Sequence, residues 1–240
     1  MLTDDYTFIK MDTRIEMVAI AEGEFLMGCA GGAANERPAH RVFVDRFAIA
    51  RHAVTNRLYG RFVEEVERAV PPTWDDERFN HPDQPVTGVS WFDATEYCAW
   101  LAARTGKAYR LPTEAEWERA ARGGVEGKLY TWGDSPPEAQ PHYHELWLTG
   151  PERVGQRPPN GFALYDISEN VHEWCSDWYD EHYYERSPAR NPRGPETGTR
   201  RASRGGSWRH QIKITRVAAR SSIPPEYRYS DYGFRLAMSL

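Results

Sequence analysis

The chain has 240 residues, and 30 Lys and Arg against 35 Asp and Glu leave a formal net charge of −5, which excludes a uniformly basic nucleic-acid coat. Apolar residues make up 40 %. That is low for a globular chain but above the disordered range, and nine Trp, thirteen Tyr and nine Phe supply the bulk for a core. No run of 18 apolar residues occurs, so no membrane-spanning helix is expected.

Met1 to Tyr6 lack the basic and apolar regions of a secretory signal. Cys29, Cys98 and Cys175 are too widely spaced for a zinc knuckle or a dense disulfide framework. Three unreactive thiols in a cytoplasmic protein are expected. The alternating stretches Arg41-Val42-Phe43-Val44-Asp45 and Phe47-Ala48-Ile49-Ala50 predict short strands. A first helix follows Val54-Thr55-Asn56, with Leu58, Tyr59, Phe62, Val63 and Val66 at helical spacing. A second starts from the N-cap Ser90, carries Ala94, Tyr97, Cys98 and Leu101 inward, and stops near Gly106. Thr113 and Glu116 form a capping box for a third, expected to end at Gly123-Gly124. Beyond about residue 124 helical periodicity fades into stretches rich in Gly, Pro, Trp and Tyr. The expectation is one α+β domain over residues 1–240, loop-rich with little regular secondary structure.

Two regions carry chemistry. Asp166 and Glu173 set two carboxylates around a turn, which reads either as a hard-cation site or as a solvated acidic turn. Near the C-terminus, Arg209, Arg216, Arg220 and Arg228 offer guanidinium forks for a carboxylate or other anion, and Trp208, Tyr227 and Tyr229 offer a stacking wall. Arg216 and Arg220 could equally be structural ties. Ser207 is a candidate site hydroxyl without an identifiable base. The eight His show no HxxxH or HExxH spacing, so iron is not expected.

A set of motifs runs in order along nearly the whole chain. Phe25-Leu26-Met27-Gly28 comes first, then Glu36-Arg37-Pro38 with Val54-Thr55-Asn56, and Val89-Ser90-Trp91. Arg110-Leu111-Pro112-Thr113-Glu114-Ala115-Glu116-Trp117-Glu118 and Tyr130-Thr131-Trp132-Gly133 follow. Asn160-Gly161-Phe162 leads to Glu169-Asn170-Val171-His172-Glu173-Trp174. The series closes on Arg204-Gly205-Gly206-Ser207-Trp208 and Gly233-Phe234-Arg235-Leu236. Together they resemble the sulfatase-modifying-factor (formylglycine-generating-enzyme) family.

The resemblance implies a variant of the C-type-lectin fold. It implies structural calcium held by the side chains of Asp166 and Glu173 and the carbonyls of Glu169 and Val171, with Glu145 a weaker candidate at a second site. It also implies copper chemistry on two cysteines after the Arg-Gly-Gly-Ser motif, and here this sequence departs. The first of those positions falls on His210, the second on Thr215 by plain counting, and no cysteine follows Cys175. Soft thiolates are what hold cuprous ion, so a bis-thiolate copper site cannot form in this region. The expectation is a divergent member that does not oxidise a sulfatase cysteine but modifies a protein, peptide or small molecule, with Ser207, Trp208 and His210 as catalytic candidates. The alternative is a lectin-like module binding a protein, peptide or small anionic ligand on residues 208–232.

Overall fold

A computed structural model describes residues 15–140, 150–209 and 215–240. In chain order its elements are β1 (Met17–Ile20), β2 (Gly23–Met27), β3 (His40–Val44), β4 (Phe47–Ala50), α1 (Asn56–Val66), α2 (Trp91–Thr105), β5 (Tyr109–Arg110), α3 (Glu114–Ala121), β6 (His172–Trp178), β7 (Arg201–Arg204), β8 (Arg220–Ile223), β9 (Tyr232–Gly233) and β10 (Ala237–Ser239). Three short helices, short strands and long connections match the α+β, loop-rich expectation. The first sheet has the order β1-β4-β10-β5, so the last strand seats beside β4, whose four residues are all buried. β2 and β3 form a separate hairpin. The third sheet has the order β8-β7-β6-β9, antiparallel except where β9 runs parallel to β6.

The helices start where their caps dictate. The Thr55 hydroxyl accepts from Leu58 N–H, and α1 buries Tyr59, Phe62 and Val63 while Val66 stays exposed. The capping box of α2 is complete between Ser90 and Asp93, and Gly106, at φ +68°, ends the helix in the left-handed region. Its Tyr97 stacks on Tyr59 at 5.6 Å and meets Phe62 and Phe234 edge-on, forming one aromatic core. The Thr113–Glu116 box opens α3 as expected, but the helix stops at Ala121 rather than at the double glycine. Arg122 sits at that end and ties its guanidinium to Glu118 and to the Gly28 carbonyl. Gly123, at φ +59°, then passes so close to Gly161 that a Cβ would lie 2.8 Å from its nitrogen.

Charges, rather than apolar contacts alone, join the last sheet to α3. Arg204 of β7 donates to Glu114 at 2.9 Å and to Glu118 at 2.5 Å. Arg220 of β8 grips both oxygens of the same Glu114 at 2.7 and 2.8 Å. All four side chains are essentially sealed from solvent. Burial alone would raise the two carboxyls. The arginines (Arg220 and Arg204 on Glu114, Arg204 and Arg122 on Glu118) overcome it and hold both below the usual range.

Removing one partner of such a group strands the others in a low dielectric. Glu114→Gln is therefore expected to cost about 3–5 kcal/mol in urea unfolding, whereas Asp76→Asn at the exposed Asp76–Arg78 pair should leave the unfolding curve nearly unchanged. Because the native carboxyls are depressed, their contribution is complete above the unfolded value of 4.5 and is lost as pH falls through the native values. Wild type should thus lose stability steeply in acid, and Glu114→Gln should show a shallower dependence on pH.

Candidate functional site

Two consecutive glycines set the backbone of the site. Gly205 lies at φ +82°, with the Ile167 carbonyl 3.2 Å from where its Cβ would be. A Cβ on Gly206 would stand 2.5 Å from Thr215 Cγ2 and 3.0 Å from the Ser168 carbonyl. Only glycine lets this strand exit lie against the turn at 166–171. Gly206 N–H donates to Ser168 O and Trp208 N–H to Asn170 O, both at 2.9 Å. His172 N–H reaches Asp231 O at 2.8 Å. The acidic turn, the Arg-Gly-Gly-Ser motif and the segment before β9 therefore converge.

There the Ser207 hydroxyl donates to Asp231 Oδ2 at 3.1 Å, and Arg209 approaches the other Asp231 oxygen at 3.5 Å. Trp208 donates its indole N–H to the Ser230 carbonyl and meets Phe79 edge-on at 5.6 Å. Tyr227, Arg228 and Tyr229 continue the same strip. The two tyrosines are exposed (44 and 43 %) and meet edge-on at 5.8 Å. Arg228 is bound to Asp93 of α2 at 2.8 and 3.0 Å. Six of the expected residues thus share one strip. Asp231, Phe79 and Asp93 complete it and were not singled out for the site. Asp231 stands two residues before Gly-Phe-Arg-Leu, and Asp93 completes the Ser90 capping box at the start of α2.

The other expected residues are placed elsewhere. Arg216 is committed to Glu36 through two bonds of 2.6 Å, and Arg220 to Glu114, so both are framework arginines. His210 and Glu145 lie outside the described residues. Glu173 is not open to a calcium ion. Arg235 donates to both of its oxygens at 2.7–2.9 Å, and Trp117 adds its indole N–H at 2.6 Å.

The remaining donors differ in the metals they suit. For copper they do not fit. Cys98 and Cys175 are buried, and burial pushes the first thiol up to about 12 and the second well above its usual value. Cys29 stands alone on the loop after β2. For calcium, hard oxygens are present at the turn. Asp166, at φ +56°, accepts Gly155 N–H on one oxygen at 2.7 Å, and no described residue hydrogen-bonds its second oxygen. Nor does any described residue hydrogen-bond the Glu169 carboxylate. Burial pushes Asp166 up to about 6, and burial with Asp166 alongside pushes Glu169 up to about 7. Two carboxyls and the turn carbonyls, with Glu173 removed from the set, suit a hard cation. No three His, Cys, Asp or Glu side chains come together as a metal site among the described residues.

The sulfatase-modifying factor enzyme 1-like domain matches residues 7–240. The formylglycine-generating enzyme of Streptomyces coelicolor is 37 % identical over 92 % of this chain and 88 % of its own length. The serine/threonine-protein kinase pkn1 of Chlamydia pneumoniae is 35 % identical over 94 % of this chain, which spans only 38 % of that protein. Among solved structures, PvdO of Pseudomonas aeruginosa superposes with a TM-score of 0.78 at 29 % identity, covering 96 % of both chains. Treponema denticola variable protein 1 gives 0.79 at 25 %, covering 93 % of this chain and 95 % of that one. The architecture is accordingly the C-type-lectin-like fold of the formylglycine-generating-enzyme type.

Gly206→Ala forces Thr215 or the Ser168 carbonyl to move, and a loss of about 1–3 kcal/mol is expected. The thermal midpoint of Gly206→Ala beside that of Gly31→Ala, whose Cβ would meet nothing within 4 Å, measures it.

Proposed function

The chain belongs to the sulfatase-modifying factor enzyme 1-like family, and within it we propose a member that works without cysteine-held copper. It does not oxidise a sulfatase cysteine, and it takes a protein, peptide or small anionic ligand on the strip of Ser207, Trp208, Arg209, Tyr227, Arg228 and Tyr229. The observation that carries this reading is the thiol inventory. The segment after Arg-Gly-Gly-Ser holds no cysteine, and two of the three thiols elsewhere are sealed. A cuprous centre needs paired soft sulfur, and nothing here supplies it.

Binding is the action the described geometry favours. The Ser207 hydroxyl donates to Asp231, whose other oxygen faces Arg209, an arrangement that ties the three side chains together. The exposed tyrosines and the half-open guanidiniums, by contrast, form a surface suited to contact. Modification of the bound ligand is the second reading. The relationship to a formylglycine-generating enzyme over nearly its whole length supports it.

Calcium at the 166–171 turn belongs to the same proposal, held by Asp166 and Glu169 with the Val171 carbonyl and serving to fix the turn on which Gly206 and Trp208 rest. A cytoplasmic setting fits three unpaired thiols.

The purified protein, incubated in air with reductant, copper(I) and a cysteine-containing sulfatase peptide, is expected to yield no aldehyde by mass spectrometry and to retain no stoichiometric copper. Aldehyde formation would overturn the reading. Calcium is expected to raise the thermal midpoint of wild type and to leave Asp166→Ala unmoved. An equal response of the two proteins would remove the metal from the proposal.

A further inference from the structure

A cleft of about 230 Å³ opens between the loop after α1, the start of α2 and the C-terminal strip. Its walls include Tyr59, Arg68, Pro71, Pro72, Asp93 and Arg228. Asp93 is already saturated. One oxygen accepts from Arg68 and Arg228, and the other from Ser90 N–H and Arg228 Nε. It serves to hold two guanidiniums side by side. Arg68 spends its second amino group on Glu96 at the rim, and no described residue accepts from Arg228 Nη1. What the cleft has left to offer is N–H donors. Such a lining selects an acceptor, and planar guanidinium edges favour a carboxylate.

The surroundings narrow the source of that carboxylate. Val70, Pro71 and Pro72 of the loop after α1 line one side of the cleft. Tyr227 and Tyr229, the exposed chain neighbours of Arg228, belong to the segment that forms another. Apolar ground therefore lies on one wall and aromatic residues on the segment of a second. A chain end would use one side only, whereas a continuing chain could use both.

We propose that this cleft binds an aspartate or glutamate side chain within an extended peptide of a protein partner, with apolar or aromatic neighbours of that residue resting on Val70 and Pro71 on one side and on Tyr227 and Tyr229 on the other. This rests on the reading of the C-terminal strip as a ligand face and names the chemistry of what binds there. The cation pair held by a buried carboxylate is the specificity device. It leaves an uncharged isostere without a strong partner while the donors stay unpaired.

The test uses fluorescence anisotropy with the intact protein and a capped, fluorescein-labelled heptapeptide carrying a central glutamate between leucine and tyrosine. A second peptide replaces that glutamate with glutamine, and a third carries its only carboxylate at its C-terminus. The glutamate peptide is expected to bind at least tenfold tighter than both others. Arg228→Gln should reduce the preference over glutamine to less than twofold, and Arg228→Lys, which keeps the charge and loses the fork, should give an intermediate preference. Arg68→Gln repeats the test from the other wall, and circular dichroism melts of each variant confirm folding at the assay temperature. Equal binding of the glutamate and glutamine peptides by wild type would overturn the cleft while leaving the ligand face standing. Tightest binding of the C-terminal carboxylate, or no binding of any peptide up to millimolar concentration, would also overturn it. The ligand face itself fails separately, if the glutamate peptide binds Tyr227→Ala/Tyr229→Ala as tightly as it binds wild type.

Discussion

The interaction on which the structure depends is the buried pairing of guanidinium with carboxylate around α3 and β6. Glu114 and Glu118 point charge from one short helix into Arg204, Arg220 and Arg122, while Glu173 holds Arg235. Each arginine also spends N–H groups on carbonyls of irregular backbone, as Arg235 does on Ala50 and Tyr165 and Arg220 on Asn35. A fold with few hydrogen-bonded ladders has many orphan carbonyls to satisfy. A fork with five donors satisfies several at once, and the carboxylate neutralises it. Ion pairs here replace part of what a larger sheet would provide.

This economy decides which basic residues remain for a ligand. Arg216 and Arg220 look equivalent to Arg209 and Arg228 in the sequence, but the first two are sunk into the framework with Glu36 and Glu114. Arg209 and Arg228 keep roughly half of their side chains in solvent. The ligand face is what the framework leaves over. It is fixed in place because Ser207 and Trp208 follow directly on Arg204 and the two glycines.

The N-terminal half was legible because its signals are local. Thr55, Ser90 and Thr113 cap the helices where their side chains predict, and Phe47–Ala50 forms the strand that its composition suggests. The C-terminal sheet was not legible as strands. β6 reads His-Glu-Trp-Cys-Ser-Asp-Trp and buries nearly every residue, so it shows no alternation. Long connections are pinned by pairings far apart in sequence, such as Arg201 lying between the rings of Trp91 and Trp178 at 3.7 and 3.4 Å. For the site, composition identified the basic and aromatic strip but not its partners. Asp231 and Asp93 reach it from positions that local pattern assigns to a turn and a cap. Glu173 offered a ligand by spacing, and a distant arginine claimed it.

Glu118 also accepts Gly28 N–H at 2.8 Å from the segment just after β2. One helix thus receives the chain near its beginning, through Gly28, and near its end, through Arg204 and Arg220. The charge of α3 is answered largely by Arg204 and Arg220, both beyond residue 200, so a nick within residues 180–200 should not release an autonomous fragment. The ion pairs of Arg204 and Arg220 span 86 to 106 residues, and contacts that distant in sequence are the kind associated with slow folding.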